Sequence, residues 1–160
     1  MNYRERIRAL REDNDYTQTY IASILNVGQR TYADYELGKT RIPVESLIRL
    51  AEFYNVDMNY ITGLNNTITP FPNSFYSSTN IYTNAKLIIR GHYMIYENIR
   101  NLREDNGKTQ KELADYLNVK QTTYSKYELG KINIPVEVFI KLADYYGVSV
   151  DYLLGRTKKK

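Results

Sequence analysis

The chain has 160 residues, 42% of them hydrophobic and 25% charged, with a net charge of +4 and a pI near 9.1. With no cysteine and one histidine (His92), it has neither a disulfide framework nor the ligands of a thiolate or histidine metal site. No apolar run approaches the roughly 20 residues needed to cross a bilayer, and the N-terminus opens on a charged amphipathic segment, so the expected compartment is the cytoplasm. No nucleophile is paired with a base and no phosphate-cradling glycine loop is present, which argues against an enzyme and against a cofactor. The positive excess is confined to Lys86, Arg90, Arg156, Lys158, Lys159 and Lys160; the rest of the chain is close to neutral. Bulk charge therefore says little about partners.

In chain order, Tyr3 to Asn14 places Tyr3, Ile7 and Leu10 on one face and Arg4, Arg8, Arg11 and Glu12 elsewhere, the pattern of an amphipathic helix. Asn14-Asp15 signals a turn. A short second helix follows, with Thr17 placed to cap it, and Asn26 stands where the chain must turn sharply, a residue that tolerates a left-handed backbone. A third helix opens at Gln29 and is closed by Gly38. Its Tyr32 and Tyr35, three apart, face inward. Pro43 suits the first turn of a fourth helix, lined by Leu47, Leu50, Ala51 and Tyr54. Asp57 can cap a short fifth helix that ends at Gly63.

Residues 65 to about 84 are rich in Asn, Thr, Ser and Pro without a sustained apolar period and are expected to be a linker, which we bound at 65–93. Phe71, Phe75, Tyr76, Ile81 and Tyr82 are unusually apolar for a free linker and suit packing on a domain. An extension of the next helix back to Ala85 is disfavoured by Gly91. The pattern then repeats. Thr17–Gly38 (TQTYIASILNVGQRTYADYELG) aligns without a gap with Thr109–Gly130 (TQKELADYLNVKQTTYSKYELG). Ile99 and Leu102 repeat the first helix and Asn106-Gly107 the turn. Leu113, Ala114 and Leu117 repeat the second helix, Asn118 its turn, and Tyr124 and Tyr127 the third. Pro135, Phe139, Leu142, Ala143 and Tyr146 repeat the fourth. Ser149 and Gly155 bound the fifth. The expected architecture is all-α, two tandem five-helix domains at 1–64 and 94–155, followed by a basic tail at 156–160.

Thr17, Gln18, Ala22, Leu25, Val27, Gln29, Thr31, Glu36, Gly38 and Lys39, and again Thr109, Gln110, Ala114, Leu117, Val119, Gln121, Thr123, Glu128, Gly130 and Lys131, form a pattern that resembles the helix-turn-helix of the lambda repressor and Cro family, the XRE-type regulators. The resemblance implies double-stranded DNA as partner, with the start of each third helix in the major groove. The expected base-reading residues are Gln29, Arg30, Ala33 and Asp34 in the first repeat and Gln121, Thr122, Ser125 and Lys126 in the second. Glutamine can pair with adenine N6 and N7, and Arg30 with guanine O6 and N7. Gln18, Thr31, Lys39 and Arg41, and Gln110, Lys120, Thr123 and Lys131, are the expected phosphate contacts, which set register and carry no sequence information. Glu36 and Glu128 would repel phosphate; we read them as structural partners of Arg11 and Arg103.

Between the repeats Gly28, Arg30, Ala33 and Asp34 become Lys120, Thr122, Ser125 and Lys126. The two third helices are therefore expected to read non-identical half-sites, as a transcriptional repressor of tandem design. A linker of about twenty residues extends to roughly 66 Å, beyond the ~34 Å between half-sites one turn apart. A homodimer of the chain is compatible with this reading. The alternative is a protein-interaction module, antitoxin-like, that holds a protein partner through the linker. The 17 tyrosines could suggest stacking of single-stranded bases, yet Tyr32, Tyr35, Tyr54, Tyr124, Tyr127 and Tyr146 fall on inward stripes. Met94 stands where an independent copy would begin, which suggests two fused regulator genes or a second translation start, detectable by intact mass.

Overall fold

A computed structural model describes residues 1–71 and 96–160, and all regular structure among them is helical. The chain divides into a first unit, Met1–Phe71, and a second, described over residues 96–160. The expected features at Phe75, Tyr76, Ile81, Tyr82, Lys86, Arg90, Gly91, His92 and Met94, and a helix reaching back to Ala85, lie outside the described residues.

In the first unit α1 (Tyr3–Asp13) starts on a capping box: the Asn2 side chain accepts from the Arg4 and Glu5 amides, and Glu5 accepts from the Asn2 amide at 2.9 Å. In α2 (Gln18–Leu25) the Thr17 hydroxyl accepts from the Tyr20 amide. The helix stops at Asn26, whose φ of 61° is the left-handed turn its short amide side chain tolerates. The turn sets α3 (Gln29–Glu36) across α2. Next, α4 (Val44–Phe53) and α5 (Met58–Thr62) close the unit, with Asp57 capping α5. Ile7, Ile21, Tyr32, Leu47, Leu50, Met58 and Ile61 are fully buried at the centre. Removing one such aliphatic chain from water stabilises by roughly 1.5–3 kcal/mol.

The second unit repeats this order in α6 (Glu97–Asp105), α7 (Gln110–Leu117), α8 (Gln121–Glu128), α9 (Val136–Tyr146) and α10 (Val150–Leu153). Thr109 and Glu112 form a second capping box, Asn118 takes φ 56°, and Ser149 caps α10. Tyr124, Phe139, Ile99, Leu113 and Leu142 fill the core. Tyr96 and Phe139 meet edge-on at 4.9 Å. Pro43 and Pro135 sit one residue before their helices as N-caps rather than inside the first turn.

The expected linker start differs from what is found. Residues 65–71 belong to the first unit: the Arg6 guanidinium lies over the Tyr60 ring at 4.1 Å and donates to Asn65 O and Asn66 Oδ1. Thr69 then bonds Asp57 through both its carbonyl and its hydroxyl, the Phe71 amide donates to Asn55 Oδ1, and the Phe71 ring is buried. At the other end Gly63, with φ 83°, lets Met1 approach so closely that a Cβ there would lie 2.1 Å from the Met1 carbonyl oxygen.

Candidate nucleic-acid interface

The helix-turn-helix of each unit is held by tyrosines. Tyr32 and Tyr35 of α3, and Tyr124 and Tyr127 of α8, are 0–6% exposed, so the opposite face of each helix must point to solvent. On that face Gln29 and Arg30 are exposed while Thr31, Ala33 and Asp34 are half-buried. In α8 Gln121, Thr122 and Lys126 are exposed while Thr123 and Ser125 are half-buried. Gly28, Lys39 and Arg41, and Lys120 and Lys131, are exposed on the flanking turns. Tyr54 and Tyr146 are only half-buried. They join surface aromatic clusters in which Tyr16 meets Tyr20 at 4.9 Å and Phe53 at 5.4 Å, and Tyr116 meets Tyr145 at 4.6 Å.

Behind the outward face runs one hydrogen-bonded chain, built alike in both units. Glu36, its side chain 3% exposed, accepts from Arg11 Nε at 2.7 Å and Nη2 at 3.1 Å. Its Oε2 also accepts from Gln18 Nε2 at 2.9 Å, and Gln18 Oε1 accepts from Gln29 Nε2 at 2.8 Å. In the second unit Glu128 accepts from Arg103 at 2.6 and 3.1 Å and from Gln110 at 2.8 Å, and Gln110 Oε1 accepts from Gln121 at 2.9 Å. Arg11 also donates to the Tyr16 carbonyl and Arg103 to the Lys108 carbonyl, tying α1 to α2 and α6 to α7.

The electrostatics follow from this packing. Burial alone would raise the Glu36 carboxyl, but the hydrogen bonds from Arg11 and Gln18 and the adjacent Arg11 charge help hold the group below its ordinary value. The same bond raises Arg11, and its counterpart raises Arg103. Burial pushes the Tyr32 and Tyr124 hydroxyls well above the ordinary tyrosine value and Tyr146 up to about 12.

The geometry thus brings Gln18 and Gln29 into one network with Glu36, and Gln110 and Gln121 with Glu128. Sequence reasoning paired each Glu with an Arg but did not connect that pair to the glutamines. The available signal was that Arg, Gln, Gln and Glu recur together at the same spacing in both repeats. It also passed over Leu37 and Leu129, 61% and 48% exposed, which lie seven residues beyond Arg30 and Thr122 and so on the same outward stripe. No group of three or more His, Cys, Asp or Glu among the described residues could hold a metal ion. No helix among them is long and apolar enough to cross a membrane.

A family model described as helix-turn-helix matches residues 7–61 and again residues 99–153, covering both units. The chain belongs to the helix-turn-helix family of lambda repressor and Cro. Among its relatives in this family, the SPbeta prophage-derived uncharacterized HTH-type transcriptional regulator YonR of Bacillus subtilis is 36% identical over 64 residues, 40% of this chain and 59% of the relative. The cryptic phage CTXphi transcriptional repressor RstR of Vibrio cholerae is 39% identical over 62 residues, 39% of this chain and 55% of the relative. The HTH-type transcriptional regulator ImmR of Bacillus subtilis is 38% identical over 58 residues, 36% of this chain and 46% of the relative. The chain thus spans about half the length of these helix-turn-helix relatives. No solved structure matches it.

Proposed function

We propose that the chain is a transcriptional repressor that binds duplex DNA with α3 and α8, each entering a major groove by its N-terminal turn and reading one of two non-identical half-sites. The carrying observation is that an identically held glutamine, Gln29 or Gln121, is framed by different neighbours. Around Gln29 stand Arg30, Ala33 and Asp34, and around Gln121 stand Thr122, Ser125 and Lys126. Each glutamine can pair with adenine, while Arg30 adds guanine recognition to the first half-site. Asp34 faces phosphate with the wrong sign and Lys126 with the right one, so the second unit binds more tightly without regard to sequence.

Gln18, Thr31, Lys39 and Arg41, with Gln110, Lys120, Thr123 and Lys131, supply the phosphate contacts that set register. Residues 1–71 and 96–155 form the two DNA-binding domains, and residues 156–160 add a basic tail. Because one chain carries both recognition helices, the first contact raises the effective concentration for the second. The relatives named as a regulator or a repressor support the assignment. The aromatic clusters at Tyr20 and at Tyr116–Tyr145, 38–45% exposed, favour a second use of the surface in binding another protein or a second copy.

Binding of the full chain to a randomised duplex library tests the proposal. Enrichment of a bipartite site is expected, with Gln29→Ala erasing the base preference of one half and Gln121→Ala that of the other. Salt-sensitive binding with no enriched sequence would overturn it.

A further inference from the structure

We infer that Glu36 and Glu128 are positioning residues for base readout: through Gln18 and Gln110, each buried carboxylate fixes which end of the Gln29 or Gln121 amide faces the DNA. The inference rests on the DNA-binding function proposed above and concerns how its adenine preference arises.

The argument is one of hydrogen-bond polarity. An ionised carboxylate can only accept. Glu36 is tied to Arg11 by two bonds and buried to 3% exposure, so the Gln18 amide must turn its Nε2 toward Glu36. That leaves Gln18 Oε1 facing α3, and Gln29 must answer with its own Nε2. One N–H and the Oε1 of Gln29 remain, a donor beside an acceptor. In the major groove adenine offers N7 as acceptor and N6 as donor, which this edge matches. Guanine offers two acceptors, N7 and O6, so the carbonyl of the fixed amide would oppose O6.

With the opposite polarity Gln29 would accept from Gln18 and turn both remaining N–H groups outward, an edge that suits guanine. Without a charge behind it the amide could take either orientation and follow whichever base it met. The same four residue types, with bonds of nearly the same lengths, repeat the device in the second unit.

The test replaces the connecting residue, so that the Arg–Glu pairs stay intact and folding is not at risk. Gln18→Met and Gln110→Met are made together in the full chain. Selection from a randomised duplex library identifies the site, and Gln29→Ala and Gln121→Ala identify the positions these glutamines read. Affinity is then measured for duplexes carrying A·T or G·C at those positions. One bidentate pair gives the parent an adenine preference of roughly 5- to 150-fold, and the double variant should bring it to within about threefold while the melting temperature stays in place. Glu36→Gln with Glu128→Gln should also lower the preference, because the Arg11 or Arg103 guanidinium only donates and takes the new amide's oxygen, leaving its Nε2 free to face Gln18 or Gln110 and turn that amide round. A loss of affinity equal for A·T and G·C duplexes would reduce Gln18 and Gln110 to phosphate contacts and overturn the inference, leaving the DNA-binding function intact. Failure of the parent chain to enrich any sequence would instead overturn the proposed function itself.

Discussion

Glu36→Ala is the substitution whose cost follows most directly from the geometry. It removes the acceptor for two Arg11 bonds and one Gln18 bond in a site where the arginine side chain is 12% and the glutamate side chain 3% exposed. Breaking a buried pair by deleting one partner costs about 3–5 kcal/mol, because the surviving charge is left without its counter-ion. Arg11 keeps Glu12 and the Tyr16 carbonyl, so the lower end applies, about 3 kcal/mol. In a unit of this size that corresponds to a fall in Tm of roughly 10–25 °C. Thermal unfolding followed by far-ultraviolet circular dichroism measures it, with Lys111→Ala as control. The Lys111–Asp115 pair is 74% and 65% exposed, and its loss should leave Tm in place. If Glu36→Ala shifts Tm no more than Lys111→Ala, the Arg11–Glu36 pair is not the buried fastening described here.

Stability should fall at both ends of the pH scale. The folded Glu36 carboxyl sits below 4.5, so the unfolded chain takes up its proton first and stability is lost as pH falls from about 4.5 through the folded value. Tyr32 and Tyr124 sit above 10.0, so the unfolded chain ionises first and stability is lost as pH rises beyond 10.0; denaturant titrations across pH, with tyrosinate absorbance, read both limbs. Gly63→Ala should destabilise more than Gly155→Ala. Both have positive φ, but a Cβ at Gly63 meets the Met1 carbonyl while nothing lies within 4 Å of one at Gly155. Phe71→Ala should cost the first unit about 3 kcal/mol in chemical denaturation, as expected for a buried ring and not for a linker residue. Asp34→Lys should tighten DNA binding without regard to sequence and steepen the salt dependence by about one phosphate contact, read in a salt titration; no gain at any salt would contradict the charge argument.

The helices were legible because their signals are local. Thr17 and Thr109 cap where the sequence predicts, Asn26 and Asn118 turn left-handed, and the tyrosines three apart in α3 and α8 are buried. The end of the first unit was legible only in part: Phe71 is apolar enough to suit packing on a domain, as found, but the polar stretch from residue 65 reads as linker. Phe71 sits in a stretch without period because what holds it are single long-range bonds, from its amide to Asn55 and from Thr69 to Asp57, which leave no repeat in the sequence. The pairing of Arg11 with Glu36 and of Arg103 with Glu128 was legible in the sequence, whereas the connection of those pairs to the glutamines was not. Arg11, Gln18, Gln29 and Glu36 come from three helices, and only their packing joins the carboxylate to the outward glutamine through a second amide in one chain of hydrogen bonds.

The central claim is that the outward faces of α3 and α8 each read their own half-site, and transplanting one face onto the other tests it most directly. In the first unit Gly28→Lys, Arg30→Thr, Ala33→Ser and Asp34→Lys together reproduce the face that Lys120, Thr122, Ser125 and Lys126 form in the second. Library selection with that chain should return two identical half-sites, both of the kind that Gln121 reads in the parent. Return of the parent's unequal half-sites would contradict the account, because specificity would then lie outside these faces.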